Sequence, residues 1–155
     1  MKKFLIVSYI SSRHGRPSWW SDEDQKNSTK FNTEILPDYF KAKVAADEHL
    51  LALAHKRSSQ GDSIFQAINL RPGALTDDPA TGRVTLGKTG VQGSVPRADV
   101  AAVAAALLDR NDTRGWYDLL EGDAPIDQAV EALVQTSHDG TEGEDLERIY
   151  AGTPA

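Results

Sequence analysis

Residues 3–9, Lys-Phe-Leu-Ile-Val-Ser-Tyr, are rich in β-branched and aromatic side chains without alternation, the pattern of a strand covered on both faces and so of a parallel sheet. Residues 10–36 follow with Ser, Arg, Gly, Pro, Asp, Asn and Lys and no apolar period, which predicts a long surface loop. Trp19 and Trp20 lie inside it, placed either to close over a ligand or to anchor the loop on the core. From Pro37 to Arg57 the spacing of Phe40, Val44, Leu50, Leu51 and Ala54 is helical, with Pro37 in the first turn and Lys56 and Arg57 in the last. Residues 63–70 read as a second strand that Arg71-Pro72-Gly73 ends. Arg83 to Leu86 reads as a short edge strand, Ala98 to Arg110 as a slim alanine-rich helix and Trp116 to Leu120 as a third short strand. Asp123 is placed to cap a last helix through Ile126, Val130 and Leu133, with Pro125 in its first turn. From Gln135 the chain turns to Thr, Ser, Gly, Asp and Glu. The division expected is an ordered unit over 1–137 and a mobile tail over 138–155 with at most one turn near Leu146 to Tyr150.

Strand and helix alternate three times, the signature of an α/β domain built on a parallel sheet. At 155 residues, the chain is long enough for one core that buries about 70% of its unfolded surface. Composition then narrows the partners. A net charge of −6 repels phosphate backbones and anionic lipid surfaces, so neither nucleic acid nor membrane is expected as a partner. The absence of cysteine excludes disulfides, thiolate zinc sites and a cysteine nucleophile, and fits a cytoplasmic location. Met1-Lys2-Lys3 before an apolar run imitates a secretory signal, but Ser8 and Tyr9 break the run and Arg13, His14 and Arg16 stand where a cleavage site belongs. His14, His49, His55 and His138 are scattered without carboxylates at metal-ligand spacing, so no metal is expected.

Candidate chemistry lies at the C-terminal ends of the strands, where open parallel sheets bind ligands. Tyr39 and Lys43 are four residues apart on the first helix and share one face, where a nearby ammonium favours the phenolate and lowers the tyrosine pKa toward the range of proton transfer. Ser8 ends the first strand, and Gly73 lets the backbone after the second strand approach a flat ligand closely.

The order Val7-Ser8, long loop, Tyr39-x-x-x-Lys43, Arg71-Pro72-Gly73-x-Leu75-Thr76-Asp77 and Arg97-Ala98-Asp99-Val100-Ala101 resembles the atypical short-chain dehydrogenase/reductase family of NAD(P)-binding proteins over about residues 3–134. The resemblance implies a partial Rossmann-like parallel sheet with flanking helices, lacking the N-terminal dinucleotide-binding half with its glycine-rich turn. It implies Tyr39 as catalytic acid/base, Lys43 as the group that holds the nicotinamide ribose, and Ser8 as the nearest counterpart of the family's serine. Many relatives use a second serine at the position held here by Tyr9, so Ser11 and Ser12 are alternatives. Pro72, Gly73, Ala74 and Leu75 would line the nicotinamide pocket. The implied cofactor is NADP or NAD, bound weakly or not at all without the glycine-rich turn, and the implied substrate is a small carbonyl compound. A non-catalytic, dinucleotide-sensing NmrA-like role is the alternative. A first strand without a preceding partner would leave one edge bare, so self-association through residues 3–9 is expected.

Overall fold

The computed structural model describes residues 1–152. Its element order is β1 (Lys3–Val7), α1 (Asp22–Lys30), a single π-helical segment (Phe31–Ile35), α2 (Pro37–Ser59), β2 (Gln66–Pro72), β3 (Ala74–Thr76), β4 (Arg83–Gly87), β5 (Ser94–Pro96), α3 (Arg97–Asp109), β6 (Gly115–Glu121), β7 (Ala124–Pro125), α4 (Ile126–Gln135) and α5 (Leu146–Tyr150). Five strands form one sheet in the order β1-β2-β6-β4-β7, and β3 pairs with β5 in a separate two-stranded sheet. β1, β2 and β6 are parallel; β4 runs antiparallel to both of its neighbours. The α/β architecture read from the alternation is therefore present, with a mainly parallel rather than wholly parallel sheet.

The two faces of the sheet differ in chemistry. Side chains alternate along a strand, so Ile68 and Leu70 of β2 point to one face, where they join Tyr117 and Leu119 of β6, Val100, Val103 and Leu107 of α3, and Val130 and Leu133 of α4 in the main hydrophobic cluster. α3 lies close to the sheet because its alanines keep it slim. Asn69 and Arg71 point to the opposite face, beneath α2, and in register beside them stand Trp116 and Asp118. That face is largely polar, and it supports the site described below.

Several expectations are revised. The loop over 10–36 contains α1, whose Ser21 and Asp24 form a reciprocal capping box; its helical residues are nearly all polar, so no apolar period marked it. β2 continues through Arg71 and Pro72. Pro72 lacks an N–H, but its carbonyl still accepts from Ile10 N at 3.3 Å. β4 lies between β6 and the two-residue β7 and so is not the edge. Asp123 does not cap α4, whose N-cap is Pro125; its carbonyl instead accepts from Arg83 at 2.7 Å.

β1 is an edge strand rather than a strand covered on both faces, with Phe4 42% and Val7 39% exposed. The segment expected as a mobile tail is docked through residue 152. Ile149 of α5 is buried, Arg148 donates to Glu48 of α2 at 3.0 Å, and Arg13 donates to the carbonyl of Gly140 at 3.2 Å. Composition hid this because a lone isoleucine and backbone carbonyls, not an apolar run, do the anchoring. Residues 153–155 of the expected tail lie outside the described residues.

Candidate functional site

A groove of about 640 Å³ opens past the C-terminal ends of β1 and β2. Its walls come from four places: Tyr9, Ile10 and Ser11 after β1, Pro72, Gly73 and Ala74 after β2, Val91, Gln92 and Gly93 before β5, and the run from Asn27 and Lys30 of α1 through Phe31, Ile35 and Leu36 to Tyr39 of α2. Pro37 starts α2 at a position where its missing N–H is no loss, and this sets Tyr39 in the first turn, facing the groove.

The structure brings Tyr39 and Lys43 together as their spacing predicts. The Lys43 ammonium lies 5.7 Å from the centre of the Tyr39 ring, but it donates to the carbonyl of Val7 at 2.9 Å. The Tyr39 phenol is correspondingly not pulled toward ionisation. Partial burial and then the negative charge of Asp47 hold its pKa above the ordinary value, reversing the direction expected from Lys43 alone. Tyr9, at the position where the resemblance implies a serine, packs its ring 5.1 Å from that of Tyr39 and donates its hydroxyl to Asn32 at 2.8 Å. Burial raises its pKa even further.

Ser8 does not face the groove. Its hydroxyl is buried and donates to Asp47 Oδ2 at 2.5 Å, and Ser12 donates to the same oxygen at 2.6 Å. Of the three serines near the strand end, Ser11 alone lines the groove. Gly73 lines it too, but the reason it must be glycine is internal. An added Cβ would meet the Leu120 side chain at 2.5 Å and the Gly93 carbonyl at 2.7 Å, so the close approach is between protein segments, bridged by Ala74 N to Gly93 O at 3.0 Å. Leu75 is 42% exposed, sits in the β3–β5 ribbon and is not among the groove's walls. Trp19 and Trp20 are also absent from the groove. They flank the Arg13 guanidinium at 5.8 and 5.5 Å and so anchor the loop.

Beneath the groove lies a cluster that the sequence reading missed. Arg71 is fully buried, with its guanidinium 4.2 Å from the centre of the Trp116 ring. It donates to Asp47 Oδ2 at 3.2 Å, to Asp118 Oδ1 at 3.3 Å, and to the carbonyls of Ile10 at 3.2 Å and Ser12 at 2.7 Å. A cue was present in the sequence. Arg71 ends the strand that carries Ile68 and Leu70, and Asp47 falls on the stripe of α2 that holds Phe40 and Val44, both positions where an exposed charge is not expected. Burial pushes the Asp118 carboxyl up to about 6, against the opposing attraction of Arg71 and Arg13.

The groove is lined by backbone and mostly uncharged side chains, with the Tyr39 phenol on one wall and Lys30 as its one charged residue. Its walls include no glycine-rich helix start of the kind that cradles a pyrophosphate. Among the described residues no cluster of His, Asp and Glu could hold a metal, and no helix is long and apolar enough to cross a membrane.

Two predictions arise from the buried cluster. Replacing Arg71 by Met should destabilise the fold by about 3–5 kcal/mol, because two buried carboxylates lose their counter-charge. Arg71→Lys should restore little, since one ammonium cannot reach four acceptors on three segments. Urea midpoints at neutral pH measure both, and an Arg71→Met protein as stable as the parent would contradict the reading. The second concerns pH. Between about pH 4, where aspartates of an unfolded chain ionise, and the raised value for Asp118, the folded state keeps a proton that the unfolded state has released. Asp118 thus adds stability at low pH that disappears as pH rises through about 6. Asp118→Asn should flatten that decline, measured as urea midpoints from pH 4 to 7.

Comparison with known proteins bears on the family and the fold. A family model described as NAD(P)H-binding matches residues 1–111. The chain is 32% identical over 134 residues to the sugar epimerase YhfK of Bacillus subtilis, itself uncharacterised, covering 86% of this chain and 51% of that protein. Among solved structures, a provisionally named NAD-dependent epimerase/dehydratase of Bacillus halodurans superposes with a TM-score of 0.59 at 30% identity, over 85% of this chain and 52% of that one. The oxidoreductase ylbE of Lactococcus lactis shares the fold, with a TM-score of 0.59 at 24% identity over 87% of this chain and 53% of that one. The chain therefore spans about half the length of these relatives. The resemblance to atypical short-chain dehydrogenase/reductase proteins and the Rossmann-like fold it implied are both supported, and the chain belongs to the NAD(P)H-binding family.

Proposed function

We propose that this chain carries the nicotinamide-facing side of an NAD(P)-dependent oxidoreductase acting on a small carbonyl compound, in the cytoplasm. The observation that carries the reading is the convergence of Tyr39, Ser11 and the Pro72–Gly73–Ala74 backbone on one groove at the C-terminal ends of β1 and β2. The cofactor, when bound, supplies or accepts the hydride. Tyr39 is the proton donor to the substrate oxygen. With its pKa held above the ordinary value the phenol is protonated at neutral pH, as a proton donor to a carbonyl oxygen must be. Lys43 fixes the Tyr39 ring from one side and the end of β1 from the other, and Ser11 replaces Ser8 as the hydroxyl available to a substrate. The epimerase names of the relatives are compatible with the same proton-transfer site.

A second reading, a dinucleotide-sensing protein without turnover, is favoured by one feature. Ser8 and Ser12 are both committed to Asp47, which leaves the groove fewer hydroxyls than the family pattern implies. In either reading, the groove's walls offer no glycine-rich helix start to hold a pyrophosphate. NADPH titration followed by tryptophan fluorescence should give half-saturation well above the micromolar range; micromolar or tighter affinity would refute this. At millimolar NADPH, Tyr39→Phe should reduce carbonyl turnover by about a hundredfold or more with cofactor affinity unchanged. Turnover at the parent rate would remove Tyr39 from the mechanism, and no turnover in the parent would favour the sensing reading.

The bare edge of β1 is proposed as a self-association surface. Phe4 and Val7 are exposed beside unpaired backbone groups, with Lys2 and Lys3 as the nearest charges that discourage strand pairing. Sedimentation should show dimers or larger species that Phe4→Lys disperses. A monomer at high concentration, unchanged by the substitution, would rule the surface out.

A further inference from the structure

We infer that the groove takes an apolar, ring-bearing carbonyl compound with an anionic group rather than a sugar nucleotide. This rests on the oxidoreductase reading and names the substrate class of the same site. The argument starts from the π-helical segment Phe31–Ile35, which continues α1 without a break and ends at Leu36, whose backbone leaves the helical region before Pro37 begins α2. A π-turn inserts an extra residue and shifts which side chains share a face, and such turns recur at functional sites. Here it sets Phe31, Ile35 and Leu36 on the groove wall that Tyr39 completes.

The wall is aromatic and apolar in a continuous run. The Phe31 ring lies 5.5 Å from that of Tyr9, and Tyr9 lies 5.1 Å from Tyr39. Tyr9 presents its ring and not its hydroxyl, which is tied to Asn32. Ile35 is 55% and Leu36 45% exposed, so this end of the groove leaves adjoining apolar side chains in water unless something covers them. A sugar nucleotide asks for carboxylates as well as amides for its hydroxyls, and of these the groove offers only the amides of Asn27 and Gln92.

Among the groove's lining residues there is no Asp or Glu, although the chain carries 23 of them. Lys30 is the one charged lining residue, and its ammonium makes no hydrogen bond or ion pair with the described residues. A ligand whose ring stacks along Phe31, Tyr9 and Tyr39 and whose anionic group meets Lys30 would satisfy both features at once.

The test uses the full 155-residue chain without cofactor, so it does not depend on hydride transfer. Phenylpyruvate, its uncharged counterpart phenylacetone, and uridine diphosphate glucose are titrated against the parent, Ile35→Asp and Lys30→Glu and followed by amide shifts in NMR. Both substituted positions are exposed, and circular dichroism confirms the fold. Phenylpyruvate is expected to bind with shifts centred on residues 31–39, about tenfold more weakly in Ile35→Asp and several-fold more weakly in Lys30→Glu. Phenylacetone should respond to the first substitution and not to the second. Tighter binding of the sugar nucleotide, no binding of phenylpyruvate, or indifference of phenylpyruvate to both substitutions would overturn the inference. Failure of NADPH-dependent turnover with these binding results intact would instead remove the oxidoreductase reading and leave the ligand class of the groove standing.

Discussion

A guanidinium shut away from water must find its hydrogen bonds inside the protein, and Arg71 finds them on three separate segments at once. Asp118 on β6, Asp47 on α2, and the carbonyls of Ile10 and Ser12 in the loop after β1 all accept from it. Each of these segments carries or supports a wall of the groove. Fixing the guanidinium therefore fixes the distance between the strand ends and the helix that presents Tyr39. Asp47 extends the same tie, since it also accepts from Ser8 and Ser12 and so holds the chain as it leaves β1.

Such a cluster is a poor source of net stability, because desolvating one cation and two carboxylates costs about as much as their attraction returns. The stability of the fold comes from the other face of the sheet, where α3 and α4 bury Val103, Leu107, Val130 and Leu133 against β2 and β6. The division follows from strand alternation. One set of side chains on β2, Ile68 and Leu70, serves the core; the set between them, Asn69 and Arg71, serves the site. A second buried cation, Arg13, extends the polar layer toward residues 140–144 and is held by the Gly140 and Glu142 carbonyls and by the Glu144 carboxylate at 3.3 Å.

What could be read in the sequence follows this division closely. The elements that depend on apolar periodicity, β1, α2, α3, β6 and α4, were legible to within a few residues, because hydrophobic spacing encodes burial directly. Tyr39 and Lys43 were legible as a pair, because helical spacing fixes their relative position. The elements held by polar contacts were not legible. α1 is capped by Ser21 and Asp24 with little apolar content, and the segment after Gln135 is docked by Arg13, by Arg148 and by one buried isoleucine. The commitment of Ser8 to Asp47 was hidden for the same reason. The two residues are 39 apart in sequence and adjacent only in space.

The direction of the Tyr39 shift shows how far local spacing can mislead about chemistry. A lysine four residues along a helix predicts a more acidic phenol if the ammonium is free to face it. In the folded chain the carbonyl of Val7 takes the Lys43 ammonium, and Asp47, two turns along the same helix, leaves its negative charge as the field that Tyr39 feels alongside burial. The buried cluster thus acts on the groove in two ways. Through Arg71 it positions the walls, and through the charge of Asp47 it adds to burial in holding the Tyr39 pKa above its ordinary value, so the polar layer beneath the sheet end shapes the groove and contributes to the electrostatics of its tyrosine.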